Sequence, residues 1–340
     1  MGLGIALAER SLLPDVSVRF GIRSLLKKRL NELDAISRPD SDKEFSQKLS
    51  RMAIAHNTIE ANQQHYELPA RFFELALGKH LKYSGCYYEN GAKGLDQAEA
   101  DMLELYFERA KIKDGQSILE LGCGWGSLTL WLAEKCPNAK ITGVSNSRGQ
   151  KDYILKEAKK RGLTNVTIIT CDMNSFHTAE KFDRIVSIEM FEHMRNLKKL
   201  FGKVRSWLRD DGLCFIHVFS HKSTPYFFET EGDDNWMGRY FFTGGVMPSH
   251  GLYAQYEDLL KIQKQWIVGG QNYAKTANDW LKNMDEHKEE ISRLFMETYG
   301  AKNAAIWQQR WRIFFMSCAE LFGYKNGSEW DICHILFSKP

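Results

Sequence analysis

The spacing of apolar residues changes along this chain, and each change predicts a different kind of element. From residue 1 to about 105 the pattern is mainly helical. Leu12, Leu13, Val16, Val18 and Phe20 begin it, and Ile22, Leu25, Leu26 and Leu30 recur near helical intervals. Ser37 to Asp42 is polar, contains a proline and reads as a loop. Tyr66-Glu67-Leu68-Pro69 opens a further helix, Arg71 to Leu77, and Leu81 to Glu89 reads as an aromatic loop. Strand and helix signals then alternate. Strands are predicted at Ser117–Leu121, Lys140–Ser145, Val166–Cys171, Arg184–Ile188 and Gly212–Phe219, with helices at Ser127–Lys135, Arg148–Arg161 and Leu197–Leu208. That order predicts an α/β, Rossmann-like, doubly wound sheet, mostly parallel. A strand at Gln263–Val268, helices near Thr276–Tyr299 and Asn303–Phe322, and an antiparallel strand at Trp330–Phe337 complete seven strands.

The alternation breaks at Ser220 to Leu260, where Tyr226, Phe227, Phe228, Trp236, Tyr240, Phe241, Phe242, Tyr253 and Tyr256 crowd beside Gly244-Gly245. Such an insert reads as a lid or substrate wall, or as a surface subdomain with its own aromatic core. The expected organisation is therefore a helical region at 1–105 contributing to the pocket, a cofactor-binding core at 106–219, an aromatic lid at 220–262, and a completion of sheet and substrate wall at 263–340.

Composition narrows the partners. The 340 residues carry a formal net charge of +3, and the basic groups are spread, as in Lys27 to Arg29 and Lys159 to Arg161. These read as solvated helix faces, so nucleic acid is not expected as a partner. The 7 cysteines show no CxxC pair, which points to a reducing, cytoplasmic setting without a disulfide framework or structural zinc. Met1 to Leu13 contains Glu9 and Arg10 and lacks a basic n-region, so it reads as a helix and not a signal peptide. No stretch reaches membrane-spanning length, and a homodimer is left open.

The chemistry is expected at the carboxyl ends of the strands. Glu120 ends the first, and Gly122, Gly124 and Gly126 follow with the spacing G-x-G-x-G. A dinucleotide fingerprint would need glycine at Ser127. With an acid two residues before the first glycine, the run looks like the S-adenosylmethionine (SAM) loop of Rossmann-like methyltransferases. The second strand ends in Ser145 and Asn146 without the ribose-holding acid of NAD enzymes. Asn146 or Gln150 can supply amide contacts instead. Asp172 and Met173 end the third strand, where an acid can accept from an adenine amino group and Met can cover the ring; Asp172 can equally be a turn residue. The fourth ends Ile188-Glu-Met-Phe-Glu-His-Met194, which brings Glu189, Glu192 and His193 together at the cofactor edge. Three polar groups so placed read as a wall that attracts a cation and accepts a proton, or as a solvated loop.

Further motifs carry a resemblance. They are Gln64-His-Tyr-Glu-Leu-Pro69, Lys82-Tyr-Ser-Gly-Cys-Tyr-Tyr88, Val144-Ser-Asn-Ser147, His221-Lys222, Phe242-Thr-Gly-Gly-Val-Met-Pro-Ser249 and Asn326-Gly-Ser-Glu-Trp330. With the glycine loop and the acid cluster they resemble the coclaurine N-methyltransferase group of plant amine methyltransferases, which is related to cyclopropane fatty acid synthases. The resemblance spans nearly the whole chain. It implies a class I SAM-dependent methyltransferase fold, SAM as cofactor without a metal, and a small aromatic or alkaloid amine as substrate, of phenylalkylamine or tetrahydroisoquinoline type. By the same resemblance Tyr83, Ser84, Gly122, Gly124, Asn146, Gln150, Asp172, Met173 and Ile188 would hold SAM. Glu189, Glu192 and His193 would be catalytic, and Glu189, Tyr66, Phe242 and Trp330 would bind the amine.

The synthases hold a bicarbonate base with a Cys, Glu, His and Tyr set. The resemblance matches Cys86, Glu192 and His217 to it, with direct roles or inherited packing both open for Cys86 and His217. The tyrosine is read as absent, since Arg312-Ile-Phe-Phe-Met316 puts Phe314 or a neighbour there, and Glu320 replaces a small residue. Both departures favour an amine over an alkene. An amine arrives protonated, so the site must bind a cation, take its proton and aim the nitrogen. Lipid cyclopropanation and SAM binding without catalysis are the competing expectations.

Overall fold

The computed structural model describes residues 2–55, 68–232 and 234–340. Seven strands form the main sheet: β1 (Ser117–Leu121), β2 (Lys140–Ser145), β3 (Val166–Thr170), β4 (Phe182–Ile188), β5 (Leu208–His221), β8 (Lys261–Val268) and β9 (Trp330–Ser338). A separate pair, β6 (Tyr226–Phe227) and β7 (Val246–Met247), is antiparallel. The order across the main sheet is β3-β2-β1-β4-β5-β9-β8. β1 to β5 are parallel, and β9 runs antiparallel to both β5 and β8. The chain reverses its direction of winding between β1 and β4, where a doubly wound sheet opens a crevice. Strand positions follow the apolar pattern because a sheet covered on both faces needs apolar side chains on both; all but the last residue of β9 are buried.

Differences from the expected elements are local. β5 is longer at both ends than Gly212–Phe219. The helical stretch near Thr276–Tyr299 is two helices, Gln271–Glu286 and Lys288–Tyr299, because His287 leaves helical geometry at ψ 21°. The aromatic insert does not make a core of its own. Phe241 stacks on Phe314 with centroids 4.2 Å apart and meets Trp311 edge-on at 5.1 Å, so its rings join the main core. The Gly244-Gly245 corner is pinned, since Arg195 Nε donates to the Gly244 carbonyl at 2.9 Å and its guanidinium lies 4.9 Å from the Phe227 ring.

The N-terminal helix Asp15–Ile36 packs on the helix Ala304–Gly323. Ion pairs cross this seam, Arg19 and Arg23 to Glu320 and Arg312 to Asp15. Pairs at this exposure contribute about 0–1 kcal/mol each. Burying Val18, Leu30 and Leu33 contributes about 1.5–3 kcal/mol apiece, so the apolar stripe holds the helix and the ion pairs set its register. Among the described residues no helix is long and apolar enough to cross a membrane.

One backbone contact joins the start of β9 to the helix Gln271–Glu286. Gly270 N–H donates to the Gly327 carbonyl at 3.0 Å. A Cβ at Gly270 would lie 2.1 Å from the Trp330 carbonyl and 2.3 Å from that of Phe322. Gly270→Ala must therefore push β9 outward, and should lower the unfolding free energy in urea by about 1–3 kcal/mol. An unchanged midpoint would show that the seam yields freely.

Candidate active site

The cleft at the carboxyl ends of β1 to β4 gathers residues from every segment of the chain. Tyr83, Ser84, Gly122, Gly124, Asn146, Gln150, Asp172, Met173, Ile188, Glu189, His193 and Phe242 all line it. The glycine loop shapes its floor. Gly122, Gly124 and Gly126 take φ of 78°, 51° and 82°, a region that disfavours side chains. Their surroundings differ. A Cβ at Gly122 would strike Met190 and one at Gly126 would strike Ile154, whereas one at Gly124 would meet nothing within 4 Å. Gly124 thus faces space, and the other two permit close packing.

Along this floor lie buried polar atoms that no described residue satisfies: Trp125 Nε1, Ser127 Oγ and Gln150 Nε2. The Gln150 amide is oriented from behind, because Ser145 Oγ donates to its Oε1 at 2.6 Å and leaves the NH₂ group facing away. An unmatched buried donor costs about 1–3 kcal/mol, so the cleft is complementary to a ligand rich in hydroxyl and carboxylate acceptors. Glu120 also lines the cleft, with Thr129 Oγ1 donating to it, and burial pushes its carboxyl up to about 8. Asp172 uses one oxygen for its own turn, accepting from Asn174 N–H at 2.7 Å.

Glu189 stands where β4 ends, in left-handed backbone at φ 47°. That conformation costs about 1–3 kcal/mol for a residue with a side chain. It is held by Glu189 N–H donating to the His217 carbonyl at 2.9 Å. Its carboxylate receives donors from three other elements. Oε1 accepts from Gly85 N–H at 2.9 Å and pairs with His217 Nε2 at 3.0 Å, and Oε2 accepts from Tyr273 Oη at 2.7 Å. Burial pushes the carboxyl up, and the Lys82 charge with the Gly85 and Tyr273 donors pulls against it. His193 lines the cleft with its ring parallel to Phe242, 5.5 Å between centroids. Phe219, Phe314 and Tyr273 complete an aromatic end to the cleft beside these groups.

Several expected residues sit elsewhere. Glu192 is buried and is not among the residues lining the cleft. Its Oε1 accepts from Phe219 N–H at 2.7 Å, and its Oε2 has no partner among the described residues. Burial and the nearby Glu189 push its carboxyl well above the usual range, so behind the wall it holds a proton more tightly than an ordinary carboxylate does. Trp330 is fully buried outside the cleft wall, donating from Nε1 to Tyr226 Oη at 3.0 Å. Tyr66 lies outside the described residues. Cys86 is sealed beside Ser84, and burial pushes its thiol up. Glu320 pairs with Arg19 and Arg23 away from the cleft, so its change from a small residue does not bear on the substrate.

The sequence reading missed groups that shape the site. Tyr273 brings a hydroxyl to Glu189 from the helix Gln271–Glu286. Its sequence gave only a helical aromatic. Glu99 accepts from Gly78, His80 and Lys82 N–H at 3.0, 2.6 and 3.2 Å and so folds the loop that carries Tyr83 and Ser84. Lys82 is buried, donating from Nζ to Ser84 Oγ at 2.6 Å and to the Gly85 carbonyl at 2.5 Å, and burial lowers its pKa. An acid inside a helix and a lysine in a loop give no signal that they are buried.

Residues 54–332 match the mycolic acid cyclopropane synthetase family. The chain is 37% identical to the (S)-coclaurine N-methyltransferase of Thalictrum flavum subsp. glaucum, over 97% of this chain and 94% of that protein. It is 36% identical to the pavine N-methyltransferase of the same plant, over 87% and 84% of the two chains. A crystal structure of coclaurine N-methyltransferase bound to N-methylheliamine and SAH superposes with a TM-score of 0.94 at 36% identity, covering 98% of both chains. The sheet order and these likenesses together define the fold as that of the class I SAM-dependent methyltransferases. The chain belongs to the mycolic acid cyclopropane synthetase family and, within it, to the coclaurine N-methyltransferase group that its motifs resemble.

Proposed function

We propose that this chain is a SAM-dependent N-methyltransferase acting on small aromatic alkylamines or alkaloid amines. The observation that carries this reading is the continuity of the cleft. A floor of unmatched donors leads directly to a buried carboxylate, an imidazole and a set of aromatic faces. The relatives at 36–37% identity named as alkaloid N-methyltransferases, one solved with SAH, support the same reading. Gln150 Nε2, Trp125 Nε1 and the open space at Gly124 fit the polar and close-packed parts of SAM, with Tyr83, Ser84, Gly122, Asn146, Asp172, Met173 and Ile188 around them. SAM supplies an electrophilic methyl group when bound.

The chain's own residues handle the amine. Glu189 attracts the ammonium ion, and the rings of Phe242, Phe219 and Phe314 enclose its aromatic part and exclude water. A cation over such a face gains on the order of 1 kcal/mol. His193, in the cleft, takes the ammonium proton. Glu192 lies behind it with one free carboxyl oxygen, and receives or shares that proton. Fixing the nitrogen in line contributes more than any single contact, roughly 7–11 kcal/mol in well-aligned cases.

A second reading, methylation of an unsaturated lipid, gains one observation. Tyr273 places a hydroxyl beside Glu189, in a region that also holds Cys86 and His217. The named relatives favour the amine. A methyl-transfer assay with a mixed amine panel and unsaturated phospholipid vesicles, with and without bicarbonate, separates the two. Methylated amine and no bicarbonate effect is expected. Bicarbonate-dependent change of the lipid with no transfer to any amine would overturn the proposal, and no transfer to either would leave a binding protein.

Gly124→Ala should weaken SAH binding at least ten-fold by calorimetry, because the added Cβ enters the space left open over the loop. Equal affinity in a folded variant would place the cofactor elsewhere.

His193→Ala and Glu192→Gln should each lower kcat by roughly 10²–10⁴ if they share the proton transfer. In the wild type, kcat/KM should rise with pH, since the amine and its acceptor must both lose protons before attack. Near-normal turnover in both variants, with a flat profile, would remove the acceptor assignment.

A further inference from the structure

The register of β5 and β9 sets His217 directly opposite His334. Both rings are fully buried, with centroids 4.8 Å apart. On the far side of His334, Arg109 NH1 lies 2.7 Å from Nδ1. A guanidinium can only donate, so His334 Nδ1 accepts and a neutral ring carries its proton on Nε2. Burial and the nearby cationic charges of Arg109 and Lys82 push both imidazoles well below their ordinary range, so both are neutral. His334 Nε2–H then donates to His217 Nδ1 at 2.9 Å. That leaves the His217 proton on Nε2, where it points at Glu189 Oε1, 3.0 Å away.

We propose that Arg109 and His334 are positioning residues for the reaction: by fixing His217 in its Nε2–H form they hold Glu189 ionised in the cleft. The functional half of this rests on the amine reading above, and the tautomer half does not.

The need for such a device comes from Tyr106. Its hydroxyl lies 2.7 Å from His217 Nδ1, and a hydroxyl can donate or accept. With Tyr106 alone, His217 could equally carry its proton on Nδ1. Its Nε2 would then be an acceptor, and Glu189 would have to hold a proton to meet it, losing the charge that attracts an ammonium ion. Arg109 removes this choice, because its protons are not given up in a protein. For the same reason the chain of bonds is not an exit path for protons. It ends in a fixed donor and transmits only direction.

Other groups also bear on Glu189. Lys82 and Cys86 face it from the 81–89 loop, Tyr106 from the helix Leu95–Arg109, Tyr273 from the helix Gln271–Glu286, and Cys318 from the helix Ala304–Gly323. Glu192 and His193 lie on its own segment. All of these remain when Arg109 is changed. Arg109 itself is half-buried, with its guanidinium 5.0 Å from the Trp266 ring, so a side chain of similar length can replace it with little loss of packing.

The test uses the full chain with ¹⁵N-labelled histidine. In the wild type, the ¹⁵N shifts of His217 and His334, assigned by His217→Gln and His334→Gln, should show both as neutral Nε2–H forms at neutral pH. A proton on His217 Nδ1 would overturn the proposal whether or not any amine is methylated. In Arg109→Met, His217 should become a mixture of tautomers. The acid limb of kcat/KM for the amine should move to higher pH, lowering the rate on that limb about ten-fold, while SAH affinity is unchanged. Arg109→Lys keeps a donor and should restore both the tautomer and the profile. A lowered Tm in Arg109→Met with wild-type tautomer and pH profile would reduce Arg109 to a structural role and overturn the proposal. If no amine is turned over, the amine reading fails and the ¹⁵N result alone decides this one.

Discussion

The proposed chemistry depends on keeping one carboxylate charged while buried. Among the described residues no Lys or Arg contacts Glu189, yet it sits in the protein interior at the end of β4. An isolated buried anion would take up a proton instead. Hydrogen bonds to a charged group contribute about 1.5–3 kcal/mol each, so the donors from Gly85, Tyr273 and His217, with the nearby Lys82 charge, work against that, while burial still holds the carboxyl above its ordinary range. They arrive from a loop, a helix and a neighbouring strand. Each of those elements must be in place for the carboxylate to keep its charge, so a great part of the fold is committed to one side chain.

The same arrangement would let the two ligands of the proposed reaction share one cleft. The floor at β1 and β2 is made of backbone, amides and hydroxyls, and its one carboxyl, Glu120, is pushed up by burial to about 8 and so is mainly uncharged near neutral pH. The inner end is anionic and aromatic. A ligand with many acceptors is drawn to the first, and a cation with an apolar body to the second. Their separation along one groove orients each without a metal or a covalent anchor, and the pinned Gly244 corner keeps Phe242 against His193 between them.

Much of this was legible in the sequence where chemistry lies close along the chain. The strand ends, the glycine loop and the Glu189–His193 cluster are local patterns, and Gly122, Gly124, Glu189 and His193 among them line the cleft. What could not be read is what tertiary packing decides. Glu192 and Trp330 have the right residue types near the right motifs, but their side chains turn into the core. Glu320 looked like a change in the pocket and lies on an outer seam. Tyr273 and His334 come from the last third of the chain and reach Glu189 only through helix packing and antiparallel register. No periodicity marks them, because a tyrosine on an apolar helix face and a histidine in a buried strand look like ordinary core positions.

The place of β9 in the sheet has a consequence for how the molecule is made. It is among the latest strands in sequence, yet it lies between β5 and β8 and not at a margin. A chain emerging residue by residue would assemble β1 to β5 first and leave β5 with a long, apolar, unpaired edge until more than a hundred further residues had followed. Open edges of that kind are templates for joining other chains, and large domains pass through such states as they fold. Synthesis of this protein is therefore expected to lean on holding factors that shield β5, and crowded expression to divert it into aggregates that chemistry at the cleft would never reveal.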